Sequence, residues 1–573
     1  MAKLVTAVGQ AIADEGVRAA FGVVGNGNFL AVAALMASGV RYVAARHEGG
    51  AIAMADAYYR ATGDVAVCTT TYGPGLTNTA TGLAEAVKHR SAVLLLTGDQ
   101  PTGGPRPIDI DQGAFAAALG ARTVPITDPS NARGAVARAM ELARGGQRPV
   151  VLSLPADLLE APVVDGTVVD GTVAEAPVAD DTVPDMGAVR RAAGPVPVPA
   201  QVDTAEVDAA LDALASARRP LLLAGLGAYR SGAACAIGAL ADWFGALLTT
   251  TVMADGLYRD SPWSLGICGG FASPRAAAIM GRADVVVAFG ASLTNFTLHG
   301  GMLLDPGATL VQVDLEAAPT VSRVDLCVTG DAAQVAGALL DGAQARGLAA
   351  SDWRREVASD MGRIGWAHEP YDDASTDSRI DPRSLSLTLA GLLPRERTLV
   401  MDGGHFVGWP AMYWPAADPS ALVFTGAAFQ TIGLGFAGAV GAAVGRADRT
   451  TVVAVGDGGA LMGLPELETL IRVSHSALVV IFNDAAYGAE VHMYRPLVTD
   501  TSPAAFGDTD FAAVARSLGA TAATVRTASD LTAVRAWRDA GCHGTLVLDC
   551  KVVPDVVAKY LSDLSGHIRA GGV

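Results

Sequence analysis

Short apolar runs alternate with helical patterns along this chain. The clearest unit lies near the carboxyl end, where two β-branched runs, Val452–Val455 and Leu478–Phe482, have the length and composition of buried parallel strands. Between these runs, Pro465–Val473 has apolar residues at helical spacing. The pattern predicts a strand–turn–helix–strand unit, which is the βαβ crossover of a parallel sheet.

The first part of the chain shows the same alternation. A helix of small residues is predicted at Ala51–Thr62. Predicted strands lie at Ala20–Val24, Val40–Ala44, Val65–Thr70, Ala92–Thr97 and Pro149–Leu154. Because strands that alternate with helices build parallel sheets with helices on both faces, this part is expected to be a doubly wound α/β domain.

The middle and the last part of the chain repeat this design. The strands predicted there are Pro220–Ala224, Leu247–Thr251, Val285–Phe289, Thr309–Val313 and Thr398–Met401. The first and last parts also end alike, with RPVVLSLPADLL at 148–159 and GTLVLDCKVVPDV at 544–556. The fold class is therefore predicted to be α/β, with three doubly wound parallel-sheet domains of which the outer two are similar.

Changes in composition suggest where the domains end. The first domain is placed at residues 1–159, the central domain at 203–344 and the last at 383–573. Residues 160–202 are rich in Ala, Val, Pro, Asp and Gly and contain no aromatic residue, which is typical of a linker. Residues 345–382, rich in Asp and Ser, are interpreted as a second linker with room for a helix.

Charge and hydropathy narrow the classes of partner. The 573 residues carry a net charge of −17, which disfavours nucleic acid and anionic membrane as partners. No apolar run approaches the roughly 18 residues of a membrane-spanning helix. The first residues contain acids early and predict an amphipathic helix rather than a signal peptide. The six cysteines form no CxxC pair and are interpreted as buried free thiols, so a cytoplasmic location is expected.

Acidic and amide residues follow both strands of the βαβ unit. The first strand leads into GDGG at 456–459, and the second leads into Asn483 and Asp484. Ligands of parallel sheets bind beyond the carboxyl ends of strands, and glycine lets the backbone approach a phosphate. Carboxylate oxygens suit Mg²⁺, which takes its remaining ligands from phosphate and water. The residues predict a Mg²⁺-diphosphate site; the alternative is an ordinary glycine-rich turn with a helix-capping Asp457.

The spacing of these residues resembles the thiamine diphosphate (ThDP) motif. In that motif, GDG is followed by an ND pair, and here 27 positions separate Asp457 from Asp484. The resemblance implies that both carboxylates bind Mg²⁺, with the backbone carbonyl of Ala486 as a third ligand. Many members of the family have Asn at the position of Asp484, and an additional carboxylate is still expected to bind Mg²⁺. The resemblance also places near the cofactor Gly458, Gly459, Tyr487 and Gly488.

The segment RHEGGA at 46–51 resembles the one that supplies the catalytic glutamate of ThDP enzymes. By this resemblance, the carboxyl of Glu48 hydrogen-bonds the aminopyrimidine ring, which then removes the thiazolium C2 proton and gives the ylid nucleophile. The alternative is an acid at a helix N-terminus that the helix dipole favours. The family pairs the glutamate domain of one chain with the diphosphate domain of another. The resemblance therefore implies a homodimer or homotetramer with active sites at the subunit interface.

Three further segments resemble cofactor-binding parts of the family. YGPGLTN at 72–78 is similar to the turn beside the aminopyrimidine ring, which implicates Pro74 and Asn78; the alternative is a plain Pro-Gly turn. DGGHF at 402–406 takes the place that presents donors to the diphosphate, although His405 is equally consistent with a surface histidine. The cofactor-binding residues of the DGGHF segment would be Gly404, His405 and Phe406.

The segment QTIG at 430–433 matches the one whose bulky apolar residue holds the cofactor in its bent shape. The resemblance gives that role to Ile432, with Gln430 beside it. Taken alone, Ile432 is a core residue, and the two interpretations are compatible because one face of a packed side chain can touch a ligand. These matches make the three domains pyrimidine-binding, central and diphosphate-binding, in that order.

The resemblance covers nearly the whole chain and is greatest to the acetolactate synthase and benzoylformate decarboxylase branch. It implies a 2-oxo acid substrate that loses CO₂ and leaves an enamine. A decarboxylating carboligase of acetolactate synthase type, forming a hydroxy-ketone, is the preferred interpretation. The alternatives are a non-oxidative decarboxylase that releases an aldehyde and a non-catalytic paralogue that keeps the fold.

The chain also departs from individual members of this branch. Met493 occupies the position where acetolactate synthases have a tryptophan, and ASLTNFTLHGG at 291–301 lacks the arginine-rich FAD signature. FAD therefore stays open as a cofactor without support from the sequence. Glu490 lies where pyruvate decarboxylase-like enzymes have a catalytic carboxyl, and its alternative is a solvated helix residue. The paired histidines of those enzymes are missing, and Gln112, which lies in that region, is a candidate contact to the substrate or cofactor.

Two further residues are predicted to line the substrate pocket. They are His89 and Arg90, which are adjacent in the sequence. Arg90 is a candidate partner of a substrate carboxylate, because guanidinium and carboxylate groups form paired hydrogen bonds.

Overall fold

The computed structural model describes residues 2–163 and 202–563. They form three six-stranded parallel sheets with helices, which confirms the predicted fold class. Most of the linker predicted at 160–202 lies outside the described residues. In the region interpreted as the second linker, the helix Trp353–Met361 packs its fully buried Trp353 into the core of the central domain.

The first sheet has the strand order β2-β1-β3-β4-β6-β5. Its strands are β1 (Ala19–Gly22), β2 (Arg41–Ala44), β3 (Ala66–Thr70), β4 (Val93–Asp99), β5 (Arg122–Pro125) and β6 (Val150–Pro155). The helices are α1 (Leu4–Asp14), α2 (Phe29–Ala37), α3 (Glu48–Thr62), α4 (Pro74–Thr77), α5 (Ala80–His89), α6 (Gln112–Ala118) and α7 (Ala132–Gly146). Because all pairings are parallel, the carboxyl ends of its strands share one edge.

The central sheet has the order β12-β11-β10-β7-β8-β9. Its strands are β7 (Pro220–Ala224), β8 (Leu247–Thr250), β9 (Ser264–Ile267), β10 (Val285–Phe289), β11 (Thr309–Asp314) and β12 (Leu326–Thr329). The helices are α8 (Thr204–Ser216), α9 (Leu226–Arg230), α10 (Ala234–Phe244), α11 (Pro274–Met280), α12 (Ala332–Ala345) and α13 (Trp353–Met361). The predicted strands correspond to its four inner strands, whereas β9 and β12 at the edges are short and only partly buried.

The third sheet has the order β14-β13-β15-β16-β18-β17, which repeats the topology of the first. Its strands are β13 (Arg397–Met401), β14 (Leu422–Phe424), β15 (Thr450–Gly456), β16 (Ser476–Asn483), β17 (Thr521–Val525) and β18 (Gly544–Lys551). The helices in this part of the chain are α14 (Pro382–Ala390), α15 (Gly408–Tyr413), α16 (Gly435–Gly445), α17 (Asp457–Met462), α18 (Pro465–Val473), α19 (Gly488–Tyr494), α20 (Phe511–Ser517) and α21 (Thr532–Asp539). The similarity predicted for the outer domains is thus present in their strand order.

The predicted elements differ from the observed ones mainly at their ends. The helix predicted at Ala51–Thr62 begins three residues earlier, at Glu48, because the imidazole of His47 caps it by accepting a hydrogen bond from the Gly49 amide. The interpretation of all six cysteines as buried is wrong. Cys235 is exposed, and Cys327 and Cys542 are partly exposed; all six are free thiols.

The chain divides into two compact units. One consists of Met1–Val196 with Ala427–Gly445, and the other of Pro197–Gly426 with Arg446–Val573. Helix α16 thus belongs to the first unit, where it packs against α3. Small residues allow this close packing: a Cβ added at Gly441 would lie 2.1 Å from the carbonyl oxygen of Met54.

We expect the substitution Gly441→Ala to destabilise the protein by about 1–3 kcal/mol, because the added methyl group has no space beside the backbone of α3. Gly337, inside α12, is the matched control, since nothing lies within 4 Å of a Cβ added there. Gly337→Ala should stabilise by up to about 1 kcal/mol through helix propensity. Thermal unfolding of the two variants measures both effects. Equal shifts in the melting temperature of the two variants would show that the α3–α16 contact is not tightly packed.

Candidate active site

Glu48 is the first residue of α3 and follows the carboxyl end of β2. Its Oε2 accepts a hydrogen bond of 3.0 Å from the side-chain amide of Asn78. Asn78 comes directly after α4, so the YGPGLTN turn and the glutamate meet at one edge of the sheet. Glu48 also raises the pKa of the buried thiol of Cys68, after the larger effect of burial itself. The structure therefore brings together the carboxylate and the turn that were predicted to flank the aminopyrimidine ring.

The turn that contains Pro74 is held from behind by Gln112. The side-chain oxygen of Gln112 accepts from the Gly73 amide at 2.9 Å, and its nitrogen donates to the carbonyl oxygen of Gly98 at 2.9 Å. Gly73 has φ +61, a conformation that favours glycine, and leads into Pro74 at the first turn of α4. Gln112 is buried, so it fixes the turn rather than presenting a free amide to the site.

The segment with Gln430 and Ile432 belongs to the first unit. Gln430 has φ +58 and Gly433 has φ +87, so the backbone turns sharply on both sides of Ile432. Ile432 is partly buried and Gln430 is exposed. The side chain of Ile432 is therefore packed and also accessible, as both interpretations of this residue require.

Asp457 and Asp484 form the acidic centre of the second unit. Asp457, which follows β15 and begins α17, is buried, and its two carboxylate oxygens accept from the amides of Gly458 at 2.9 Å and Ala485 at 2.7 Å. Asp484 follows β16, and its Oδ1 accepts from the amide of Ala486 at 3.3 Å. Because β15 and β16 are parallel neighbours, both carboxylates lie at the same edge of the sheet.

The two carboxylates perturb each other. Burial, reinforced by the charge of Asp484, raises the pKa of Asp457 to about 8. Burial also raises the pKa of Asp484 to about 6. Two neighbouring carboxyl groups with little access to water disfavour the doubly ionised state, and a cation between them removes that penalty. Their arrangement is therefore that of a site that favours a divalent cation.

The His405 loop lies beside this pair, beyond the carboxyl end of β13. Gly404 has φ +128, and a Cβ added at Gly488 would be 2.5 Å from Oδ2 of Asp484 and 3.4 Å from Nδ1 of His405. The ring of Phe406 stacks on Phe482 at the end of β16. The structure therefore brings the DGGHF segment to the two carboxylates, and His405 is buried rather than a surface histidine.

The end of the chain fixes the His405 loop. The Ala558 amide donates to Nε2 of His405 at 2.9 Å, and the Tyr560 hydroxyl donates to the carbonyl oxygens of Gly404 and His405 at 2.9 and 3.1 Å. Glu490 lies close enough for its charge to raise the pKa of Tyr560, after the larger effect of burial. The sequence pattern gave no indication of Tyr560, because 156 positions separate it from Gly404.

Three family models match consecutive parts of the chain. The N-terminal TPP binding domain of thiamine pyrophosphate enzymes matches residues 2–116, the central domain matches 207–339, and the C-terminal TPP binding domain matches 402–550. The chain belongs to the thiamine pyrophosphate enzyme family. Each matched region falls within the part of the chain that forms one of the three sheets, although β5, β6 and β13 lie outside the matches. Thiamine pyrophosphate is the cofactor named ThDP above.

Relatives of this thiamine pyrophosphate enzyme extend the match over most of the chain. It is 26% identical to a probable acetolactate synthase large subunit from Methanocaldococcus jannaschii over 84% of this chain and 80% of the relative. Identity to an acetolactate synthase from Arthrospira platensis is 27%, over 90% and 87%. Identity to a probable 2-ketoarginine decarboxylase from Pseudomonas aeruginosa is 30%, over 83% and 81%. By homology the chain is a ThDP enzyme of acetolactate synthase type.

The acidic pair of this thiamine pyrophosphate enzyme fits Mg²⁺. Among residues 2–163 and 202–563, no group of three or more His, Cys, Asp or Glu side chains is arranged to hold a metal ion. The site thus offers two carboxylates, and Mg²⁺ often binds one or two carboxylates together with substrate or cofactor phosphate. Beside this pair, only glycine fits at position 458, because an added Cβ would lie 2.6 Å from the ring of Tyr487.

His89 and Arg90 are not brought to Glu48 within the chain. His89 is the last residue of α5 and Arg90 follows it, before the first residue of β4 and therefore at the edge of the sheet opposite to Glu48. His89 is buried, with Nδ1 at 2.9 Å from the hydroxyl of Ser91, and Arg90 has φ +61 at the helix end. Their placement is that of residues that end a helix, and their role in substrate binding stays a prediction.

The pKa of His405 predicts a pH dependence of stability. Burial, with a smaller effect from His492, lowers this pKa to about 3, well below the ordinary value near 6.5. As pH falls below about 6.5, the unfolded chain binds a proton that the folded chain excludes, so stability decreases by up to about 1.4 kcal/mol per pH unit. Denaturant unfolding between pH 7 and 4 should show a smaller decrease for His405→Gln. Substitution of the exposed His475 by Gln is the control. If the unfolding free energy depends on pH in the same way in both variants and the wild type, the low pKa of His405 is contradicted.

Proposed function

We propose that this protein is a ThDP- and Mg²⁺-dependent 2-oxo acid decarboxylating carboligase of acetolactate synthase type, which forms a hydroxy-ketone. The observation that carries the proposal is the carboxylate of Glu48, held by Asn78 at the start of α3. A paralogue that had lost catalysis would have no need of this acid. The intact pair of Asp457 and Asp484 supports the same conclusion.

Glu48 is proposed to hydrogen-bond the aminopyrimidine ring and to exchange a proton with it. ThDP, when bound, supplies the thiazolium carbon that attacks the keto group and accepts the electrons released with CO₂. Asn78 orients the Glu48 carboxylate, and Gln112 keeps the 72–78 turn in place through the Gly73 amide. These contacts set the position of the acid before any ligand binds, which is what general acid–base catalysis requires.

The second unit is proposed to hold the metal and the diphosphate. Asp457, Asp484 and the backbone carbonyl of Ala486 would bind Mg²⁺. The family resemblance puts near the diphosphate Gly404, His405, Phe406, Gly458, Gly459, Tyr487 and Gly488. Pro74, Gln430 and Ile432 are assigned to the rest of the cofactor.

The alternative proposal is a non-oxidative decarboxylase that releases an aldehyde. Its support is the 30% identity to the probable 2-ketoarginine decarboxylase. Glu490 is exposed on α19 near Tyr560 and would donate the proton that forms the aldehyde. An exposed carboxyl can equally serve only as a solvated helix residue, so this alternative rests mainly on the relative.

The active form is proposed to be a homodimer or homotetramer in the cytoplasm. The support for the assembly is the family pattern in which the glutamate and the diphosphate domain of one site come from two chains. No helix among the described residues is long and apolar enough to cross a bilayer. Sedimentation of the purified protein with and without ThDP and Mg²⁺ tests the assembly; a monomer in both conditions would contradict it.

The product of the reaction distinguishes the two functions. The protein would be incubated with ThDP, Mg²⁺ and a panel of 2-oxo acids that includes pyruvate and a basic 2-oxo acid. CO₂ release would be followed, and the organic product identified by mass spectrometry. CO₂ with a hydroxy-ketone is the expected result, whereas CO₂ with a free aldehyde would favour the decarboxylase. No CO₂ from any acid, despite bound ThDP, would contradict both proposals for these substrates.

A further inference from the structure

A buried cluster of three charged side chains lies in the first unit. Arg60 donates to both carboxylate oxygens of Asp56, at 3.0 and 2.5 Å, and to Oε1 of Glu85 at 2.8 Å. All three side chains are almost completely inaccessible to solvent. Burial tends to lower the pKa of Arg60, but the two carboxylates raise it above its ordinary value. The cluster therefore contains one cation between two anions.

The carboxylate of Glu85 also contacts a backbone segment that is distant in the sequence. Asp56 faces Arg60 from the same helix, α3, one turn earlier. Glu85, on α5, also accepts from the backbone amides of Ala428 at 3.2 Å and Phe429 at 2.6 Å. Arg60 thus donates to one oxygen of Glu85, and the remaining acceptor capacity of Glu85 is used by a segment more than 340 positions away in the sequence. Backbone amides that donate to a buried carboxylate form strong, directional hydrogen bonds.

A second contact supports the same pairing of α5 with that segment. Lys88 is three residues after Glu85 and therefore on the same face of the helix. Its Nζ lies 5.7 Å from the centre of the Phe429 ring, within the range of a cation–π interaction. The exposed fraction of Phe429 is 42%, so burial of the ring alone does not fix the segment.

We propose that Glu85 is a positioning residue, which holds the backbone at Ala428 and Phe429 and thereby sets the turn that presents Gln430 and Ile432 to the cofactor. This inference rests on the proposed function, because it assumes that Ile432 contacts ThDP. Gln430 follows Phe429 directly and has φ +58, a backbone conformation that residues other than glycine rarely adopt. Two hydrogen bonds just before this residue provide the restraint that such a turn needs.

The test compares two variants that remove the same charge from the same arginine. Glu85→Gln and Asp56→Asn each leave Arg60 with one carboxylate, so both should lower the melting temperature. Only Glu85 touches the 428–429 backbone, and an amide has one acceptor atom where the carboxylate has two. We expect Glu85→Gln to raise the Kd of ThDP, titrated calorimetrically with saturating Mg²⁺, by about tenfold, and Asp56→Asn to leave it near the wild-type value.

Hydrogen exchange gives a readout that does not depend on the cofactor. The amides of Ala428 and Phe429 should be protected in the wild type and in Asp56→Asn, and should exchange faster in Glu85→Gln. If exchange at these amides in the wild type is as fast as in an exposed loop, the inference is overturned even if neither variant folds. Equal increases in Kd for both variants would also overturn it, because they would reflect general destabilisation.

These outcomes separate the inference from the proposed function. A wild-type protein that binds no ThDP contradicts the proposed function and the cofactor part of the inference, while the exchange data still decide whether Glu85 holds the segment. If Glu85→Gln binds ThDP as tightly as the wild type does, only the inference is contradicted.

Discussion

The substitution Glu48→Gln is expected to lower turnover by roughly 10²- to 10⁴-fold, which is the range that a positioned general acid–base group contributes. Glutamine keeps the size of the side chain and an acceptor for Asn78, but it cannot exchange a proton with the aminopyrimidine ring. The decrease should therefore appear in kcat, with little change in the Kd of ThDP. Steady-state CO₂ release and a calorimetric ThDP titration measure the two quantities.

Glu141→Gln is a suitable control for this prediction. Glu141 is an exposed acid on α7 that forms a surface ion pair with Arg138, and such pairs contribute little to stability. Both variants should melt close to the wild-type temperature. Turnover by Glu48→Gln at the level of Glu141→Gln would show that Glu48 only favours the start of α3.

The two aspartates that are proposed to bind Mg²⁺ are expected to respond differently to the same substitution. In Asp457→Asn the new NH₂ group would face the amide N–H of either Gly458 or Ala485, so one buried hydrogen bond is lost together with the charge. In Asp484→Asn an oxygen can still accept from the Ala486 amide. We expect Asp457→Asn to weaken Mg²⁺-dependent ThDP binding by about 100-fold or more, and Asp484→Asn to retain it.

A Mg²⁺ titration at constant ThDP measures this difference. Removal of the metal with EDTA should leave the wild type inactive, and added Mg²⁺ should restore activity in the wild type and Asp484→Asn. Restoration in Asp457→Asn at the same Mg²⁺ concentration would contradict the assignment of Asp457 as a ligand. If Mg²⁺ restores activity in neither variant, this chain depends on the carboxylate of Asp484 as well as on that of Asp457.

The inner strands and the acidic motif could be predicted from the sequence because their signals are local. Val452–Val455 and Val285–Phe289 are continuous apolar runs with high strand propensity, and both lie inside buried strands. The edge strands Arg122–Pro125 and Thr521–Val525 were not predicted, since their residues are partly exposed and do not form such runs. The bounds of the βαβ helix, Pro465–Val473, agree because a proline begins it.

The supporting contacts could not be predicted because they join distant parts of the chain. Glu85 lies 344 positions from Phe429, and no periodicity or motif links the two. Gln112 was expected to contact substrate or cofactor, but in the structure it binds the backbone of Gly73 and Gly98. A polar residue in a motif region can thus support the site as well as line it, and only the fold distinguishes the two roles.

The most direct test of the central claim does not require the substrate to be known. The C2 proton of ThDP bound to the protein with Mg²⁺ would be exchanged for deuterium in D₂O, quenched with acid and followed by NMR. The wild type should exchange this proton much faster than free ThDP, and Glu48→Gln should lose most of the acceleration while still binding the cofactor. Exchange at the rate of free ThDP in the wild type would contradict the account, because the chain would then bind ThDP without activating it.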